Sequence, residues 1–255
     1  MKCEHRHSPQ RARKEDIAHD VLLKPEAKRA FVRQMFDGIA RRYDLLNHLL
    51  SMGIDIVWRK KTIDQLQPRP NWRILDLATG TGDLGFECGK RAGDIQVIGV
   101  DPSMPMLREG EKKNASRANP VAFLCGEGEC LPFGEGTFDG VTIGFGIRNV
   151  AELETALSEM CRVLKVGGRV AVLEFSRPRT PVFRGLYNFY FQRILPRIGH
   201  MVSRDPNAYR YLYESVMRFP EGADFCRRLS DAGFVDIQAV RLSFGIATIY
   251  LASKS

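Results

Sequence analysis

The chain has 255 residues, 44% apolar and 27% charged, and 38 Lys and Arg against 30 Asp and Glu give a formal net charge of +8. This composition excludes a disordered or fibrous protein, and the length suffices for one or two domains with a sizeable core. The basic excess (pI ≈ 9.3) favours contact with nucleic acid, a membrane surface or an acidic ligand, without choosing among them.

Residues 1–25 carry mixed charge and few large apolar groups, the pattern of a flexible basic tail. The tail has no apolar h-region, so it does not read as a secretory signal. No run in the chain approaches the ~18 apolar residues of a membrane span. The six cysteines, Cys3, Cys88, Cys125, Cys130, Cys161 and Cys226, form no CxxC pair. Free thiols in a reducing cytoplasm are expected. Cys3, His5 and His7 lack a fourth ligand, and no metal is expected.

Residues 26–70 read as an N-terminal helical cover. Phe31, Met35, Ile39 and Tyr43 recur every four positions, Ser51-Met52-Gly53 breaks the pattern, and a second helix follows over about 55–66. Pro68-Arg69-Pro70 then separates this cover from an alternation of short apolar and longer amphipathic segments. Strands are predicted at 73–77, 95–100, 121–125, 138–145 and 169–175, with helices near 83–91, 103–116 and 152–164. Such alternation predicts an α/β protein, a doubly wound parallel sheet with helices on both faces.

The C-terminal part differs. A helix at 223–232 precedes strands at 235–242 and 246–252, joined by Ser243-Phe244-Gly245 as an antiparallel hairpin. The expectation is one domain over 26–255, a seven-stranded sheet with an antiparallel C-terminal edge. Residues 177–220 interrupt the rhythm with eight arginines, against Asp205 and Glu214, and hold five of the seven tyrosines. They read as a helical cap insertion.

The first strand runs through Ile74-Leu75-Asp76-Leu77 into Ala78-Thr79-Gly80-Thr81-Gly82-Asp83. Gly80 and Gly82 let the backbone bend sharply and approach a ligand, although a turn with no ligand would look the same. Asp101 ends the next strand, nineteen positions past Gly82 (101 − 82), where a carboxylate can accept both hydroxyls of a ribose. A pyrophosphate wants helix amides free of competing anions. Asp76 and Asp83 crowd this loop, which weighs against NAD and for the cationic S-adenosylmethionine. Glu127 and Gly128 follow the third strand, where amides and a carboxylate could meet an adenine edge. Gly144-Phe145-Gly146 follows the fourth, with Phe145 equally readable as core packing.

The sequence resembles the ubiquinone/menaquinone biosynthesis C-methyltransferase family, within the class I S-adenosylmethionine-dependent methyltransferases, from about Phe31 to Ser253. The marks are Tyr43-Asp44-Leu45-Leu46-Asn47 through Ser51-Met52-Gly53 to Trp58-Arg59, Phe145-Gly146-Ile147-Arg148-Asn149-Val150, and Arg162-Val163-Leu164-Lys165-Val166-Gly167-Gly168 leading to Leu173-Glu174-Phe175-Ser176. Asp55 stands where the family usually has a histidine, Val166 replaces a proline, and Gly144 replaces a serine that contacts the cofactor in many members. The resemblance implies a Rossmann-like sheet and cofactor contacts at Thr81, Asp101, Glu127, Gly128 and Gly144, beside the loop residues Asp76, Gly80 and Gly82.

It further implies methylation of a ring carbon of a prenylated hydroquinone, demethylmenaquinol to menaquinol. Arg148 would stabilise phenolate charge, with Asn149 and Tyr43 orienting the acceptor. Asp55 or His48 could instead take the proton, and Arg148 and Asn149 could simply cap the helix near Glu152. Tyr43 and Trp58 would form one wall of the acceptor pocket. The lipid acceptor implies a cytoplasmic protein, peripheral at the inner face of the cell membrane, docked through the arginines of 177–220. The aromatic cap could equally serve a homodimer. An RNA acceptor would use the basic charge, but no RNA-binding module is appended and no nucleic-acid partner is expected. A non-catalytic S-adenosylmethionine-binding scaffold would be marked by a damaged loop, which is not seen.

Overall fold

The computed structural model describes residues 24–91, 93–178, 185 and 206–255. Residues 1–23, with Cys3, His5 and His7, and most of the 177–220 insertion lie outside them.

Seven strands form one sheet: β1 (Arg73–Leu77), β2 (Gln96–Asp101), β3 (Val121–Cys125), β4 (Phe138–Gly144), β5 (Leu164–Phe175), β6 (Phe234–Leu242) and β7 (Ala247–Lys254), in the order β3-β2-β1-β4-β5-β7-β6. The first five pair in parallel, while β7 is antiparallel to both β5 and β6. The doubly wound sheet and its antiparallel end are thus as the sequence predicts. Strand β5 begins earlier than expected, because Leu164 already pairs with Phe138 ahead of a register shift.

The strands alternate as two-sided burial demands. On β5, Val170 and Val172 join one core cluster with Leu157, Met160, Phe225, Leu229 and Tyr250. Ala171 and Leu173 face the other, with Trp58, Ile63, Leu66, Leu84 and Phe86. The helices supplying these layers are α1 (Pro25–Ile39), α2 (Tyr43–Ser51), α3 (Ile54–Leu66), α4 (Asp83–Gly89), α5 (Met104–Asn114), α6 (Leu153–Val163), α7 (Pro206–Arg218) and α8 (Ala223–Asp231).

The N-terminal cover departs from the predicted pair of helices. The first helix is interrupted by a 3-10 turn at Ala40–Arg42, so α1 and α2 are separate rods. After α2 the chain reverses through Met52 and Gly53, both in the left-handed region (φ 53 and 75). These breaks let α1 and α2 lie over the carboxyl ends of the strands, where doubly wound sheets bind ligands.

Candidate active site

Between β1 and α4 the chain turns through Ala78–Gly82. Gly82 has φ +85, and a Cβ there would stand 2.7 Å from Phe123 Cζ, so the turn requires glycine. Asp76 lies beneath it, fully buried, accepting from Thr79 Oγ1 (2.5 Å), Gly85 N (3.0 Å) and Thr142 Oγ1 (2.8 Å). Burial pushes its carboxyl up to about 6, against the pull of those donors. Asp76 is not among the residues that line the cleft; its bonds to Thr79 and Gly85 hold the loop above it.

A cleft opens over the loop, lined by Gly80 and Ala78, Asp101 and Pro102, Gly126 to Glu129, Gly144 to Gly146 and Asn149. Asp101 Oδ2 accepts from Gly80 N and Oδ1 from Ser103 N, both at 2.8 Å. Each oxygen keeps a lone pair for a further donor, the arrangement that vicinal ribose hydroxyls need. Burial raises this carboxyl to about 6 as well. Gly144 meets the cleft with backbone alone, since a Cβ there would stand 3.1 Å from Leu84. Phe145 is both things the sequence allowed: it lines the cleft and packs in the core, 4.4 Å from Phe175 by ring centroids. Its φ of +57 is strained for a bulky residue and lies at the end of β4.

Helix α1 closes the cleft, contributing Arg29, Val32 and Phe36. Arg29 Nε pairs with Glu127 at 2.6 Å, Lys28 Nζ donates to the carbonyls of Arg148 (3.0 Å) and Val150 (2.6 Å), and Ser103 Oγ donates to Asp37 at 2.5 Å. Burial lowers the Lys28 amine to about 8. Helix α2 adds Tyr43, whose phenol is pushed up by burial and bonded to Asn47. Thr81 does not line the cleft either: its hydroxyl donates to Asp44 Oδ1 at 2.5 Å and accepts from Lys113 Nζ at 2.9 Å. Lys113 also pairs with Asp44 (2.8 Å) and Asp83 (2.5 Å), and Arg59 stands 3.9 Å from Asp83. The anions that weighed against a pyrophosphate are therefore occupied, Asp76 by the loop and Asp83 by cations. The cleft's acidic character comes from Asp101, Glu127 and Glu129 instead.

Past β4, Arg148 Nη1 pairs with Glu174 at 2.8 Å and also donates to the carbonyl of Phe145. Glu174 is fully buried on β5. Burial raises its carboxyl, opposed chiefly by Arg148. Arg148 Nε is buried with no hydrogen-bond partner among the described residues, and Arg148 stands behind the cleft wall, which its neighbours Gly146 and Asn149 line. Asn149 lines the cleft, donates to the Phe145 carbonyl (3.3 Å) and accepts from Tyr211 Oη (3.2 Å). Tyr211 in turn meets Phe31 of α1, ring centroids 5.3 Å apart. Neither Arg148 nor Asn149 caps α6, which has no side-chain cap.

The alternative proton acceptors are placed elsewhere. Buried Asp55 accepts from Ser51 Oγ (2.5 Å), His48 Nδ1 (3.0 Å) and Arg59, and does not line the cleft. Burial alone would raise its carboxyl, but these donors hold it below the ordinary value. An acid so stabilised as an anion is a poor base. Trp58 stands behind Phe145, centroids 6.1 Å apart, with Nε1 donating to Ser243, so it backs the wall instead of forming it. Glu174, Lys113 and Asp37 carry structural parts that the sequence reading assigned no role. Glu174 alone left a trace: a carboxylate in the apolar run 170–175 needs a buried partner.

The ubiE/COQ5 methyltransferase family matches residues 24–254. The chain is 44% identical over 236 residues to the ubiquinone/menaquinone biosynthesis C-methyltransferase UbiE of Geotalea uraniireducens, covering 91% of this chain and 100% of that one. It is 46% identical over 220 residues to the demethylmenaquinone methyltransferase of Thermus thermophilus, covering 86% and 100%. Among solved structures, an S-adenosylmethionine-dependent methyltransferase of Thermotoga maritima superposes with a TM-score of 0.65 at 20% identity, over 88% of this chain and 100% of that one. The Haemonchus contortus phosphoethanolamine N-methyltransferase 2 in complex with S-adenosylmethionine gives 0.58 at 14%, over 77% and 52%. A strand-end cleft with Asp101 turned into it, on a sheet shared with these methyltransferases, and a family match across nearly all the described chain lead to one conclusion: this protein belongs to the ubiE/COQ5 methyltransferase family.

Proposed function

We propose that the protein methylates a ring carbon of a prenylated hydroquinone, demethylmenaquinol to menaquinol, using S-adenosylmethionine. The names of the two relatives support the acceptor class, and the cleft supports the donor. Asp101, with one lone pair on each oxygen uncommitted, would hold the ribose, and the amides of Gly126 to Glu129 would meet the base. Gly144 would face the cofactor with backbone only. When bound, S-adenosylmethionine supplies an electrophilic methyl group.

The observation that carries the reading is Asp101, turned into the cleft with one lone pair on each oxygen uncommitted. A phenol ionises near ~10, and the ring carbon becomes nucleophilic as the proton leaves to solvent water. Arg148 would stabilise the resulting phenolate, directly or through water, while Glu174 fixes the guanidinium from behind. Arginine itself remains charged and takes no proton. Asn149, fixed by Tyr211, and Tyr43 would orient the acceptor. Holding the reacting atoms in line could supply ~7–11 kcal/mol.

A prenylated acceptor resides in a bilayer, so the protein would work at the inner face of the cell membrane, alone or as a homodimer. No helix among the described residues is long and apolar enough to cross a membrane. RNA as acceptor is not favoured.

Incubation with radiolabelled methyl donor and either demethylmenaquinol or RNA is expected to label the lipid extract. Label in RNA alone would overturn the proposal. Arg148→Lys keeps the charge but loses the fork, and turnover should fall by about 10²-fold or more with cofactor binding intact. Near-normal turnover would remove Arg148 from the chemistry.

A further inference from the structure

Six large apolar side chains stand exposed on the α2–α3 hairpin: Leu45, Leu49, Met52, Ile54, Ile56 and Val57, between 40% and 87% accessible. They are ordered. Leu45 and Leu49 lie four apart on one face of α2, and Met52 follows just past its end, in the left-handed reversal. Ile54 and Val57 make the matching stripe in the first turn of α3, with Ile56 beside them. Met52, the most exposed, sits at the reversal between the helices.

Charge is ordered too. One turn back from Leu45 is exposed Arg41, and one turn beyond Ile56 and Val57 are exposed Lys60 and Lys61. The hairpin's acidic groups do not oppose this collar: Asp44 pairs with Lys113, Asp55 is buried, and Asp64 pairs with Arg91. An apolar tip with a basic collar about one helical turn (~5.4 Å) behind it matches the depth profile of a bilayer surface, acyl chains below and phosphates above. A two-fold dimer through the same face would set the collar of one copy against that of the other.

We infer that the α2–α3 hairpin is the surface by which this protein inserts into an anionic lipid bilayer. The inference deepens the proposed function and rests on it for the bilayer as the source of the acceptor. Helix α2 also carries Tyr43 into the cleft, so the docked element and the acceptor wall are one rigid piece. The sequence reading put docking on residues 177–220 instead.

The test uses the full chain and vesicles of phosphatidylcholine, with or without phosphatidylglycerol, read by co-sedimentation. Met52→Glu/Ile56→Glu should lower partitioning at least tenfold, and Lys60→Gln/Lys61→Gln should abolish the preference for phosphatidylglycerol. Both variants should keep the thermal melting curve of the parent and methylate a short-chain, bilayer-free demethylnaphthoquinol at its rate. Equal sedimentation of parent and tip variant, or no sedimentation of the parent, would sink the inference. So would a parental dimer that the tip variant splits in sedimentation velocity. Failure of the parent on the bilayer-free acceptor would count against the proposed function alone, because vesicle binding is read without turnover.

Discussion

Asp101 and Asp76 are both buried acids raised to about 6, yet only Asp101 reaches the cleft. The anion of Asp101 is the better acceptor for two hydroxyls. Cofactor Kd should therefore be flat above pH 7 and climb as pH falls through about 6, by up to ~tenfold per unit for one linked proton. Titration calorimetry between pH 5 and 8 checks this, with Asp101→Asn expected to bind weakly and without that slope. For Asp76 the linkage runs through stability. Its folded value exceeds the unfolded one, so its favourable contribution is complete below about 4 and is lost as pH rises through about 6. Asp101 was legible because its distance from the glycines is a local fact of one β-α-β unit. Glu174 and Asp37 were not, because Arg148 and Ser103, their partners, are 26 and 66 positions away and only the folded sheet brings them together.

Three helices meet at Lys113. From α5 it reaches Asp44 of α2, Asp83 of α4 and the hydroxyl of Thr81. Its loss leaves Asp44 without that cation and Asp83 with only Arg59, 3.9 Å away. Lys113→Ala should cost about 1–2 kcal/mol in urea unfolding, and Lys113→Arg should recover part of it. The same substitution should weaken cofactor binding, since the loop loses a support and the cover its latch. Strands and the central helices were readable from period alone, since alternation and amphipathicity are written into adjacent residues. The break at Ala40–Arg42 was not. Phe31, Met35, Ile39 and Tyr43 keep a helical beat across it, and contacts to Ser103 and Thr81 on either side set the bend.

Strand β7 comes last in the chain but sits inside the sheet, between β5 and β6. Its fully buried Tyr250 also accepts from Gly222 N at 2.7 Å and packs on Phe225 of α8. Deleting residues 247–254 removes two strand pairings and that anchor together. The shortened chain should show no cooperative thermal transition and no near-ultraviolet circular dichroism. The hairpin itself was visible from Ser243-Phe244-Gly245. That its second strand would lie inward was not, because sheet order is decided by packing across the whole domain.

Helix α1 spans the mouth from Ser103 on one side to the Arg148 and Val150 carbonyls on the other, with Arg29 on Glu127 between them. A nucleoside passing through this mouth would have to part these ties on the way in and again on the way out, a mechanical interval that bond-making does not set. Added salt, by loosening the half-exposed Arg29 pair, should then hasten departure of the spent nucleoside and leave the single-turnover rate unchanged, which stopped-flow measurement of product release checks.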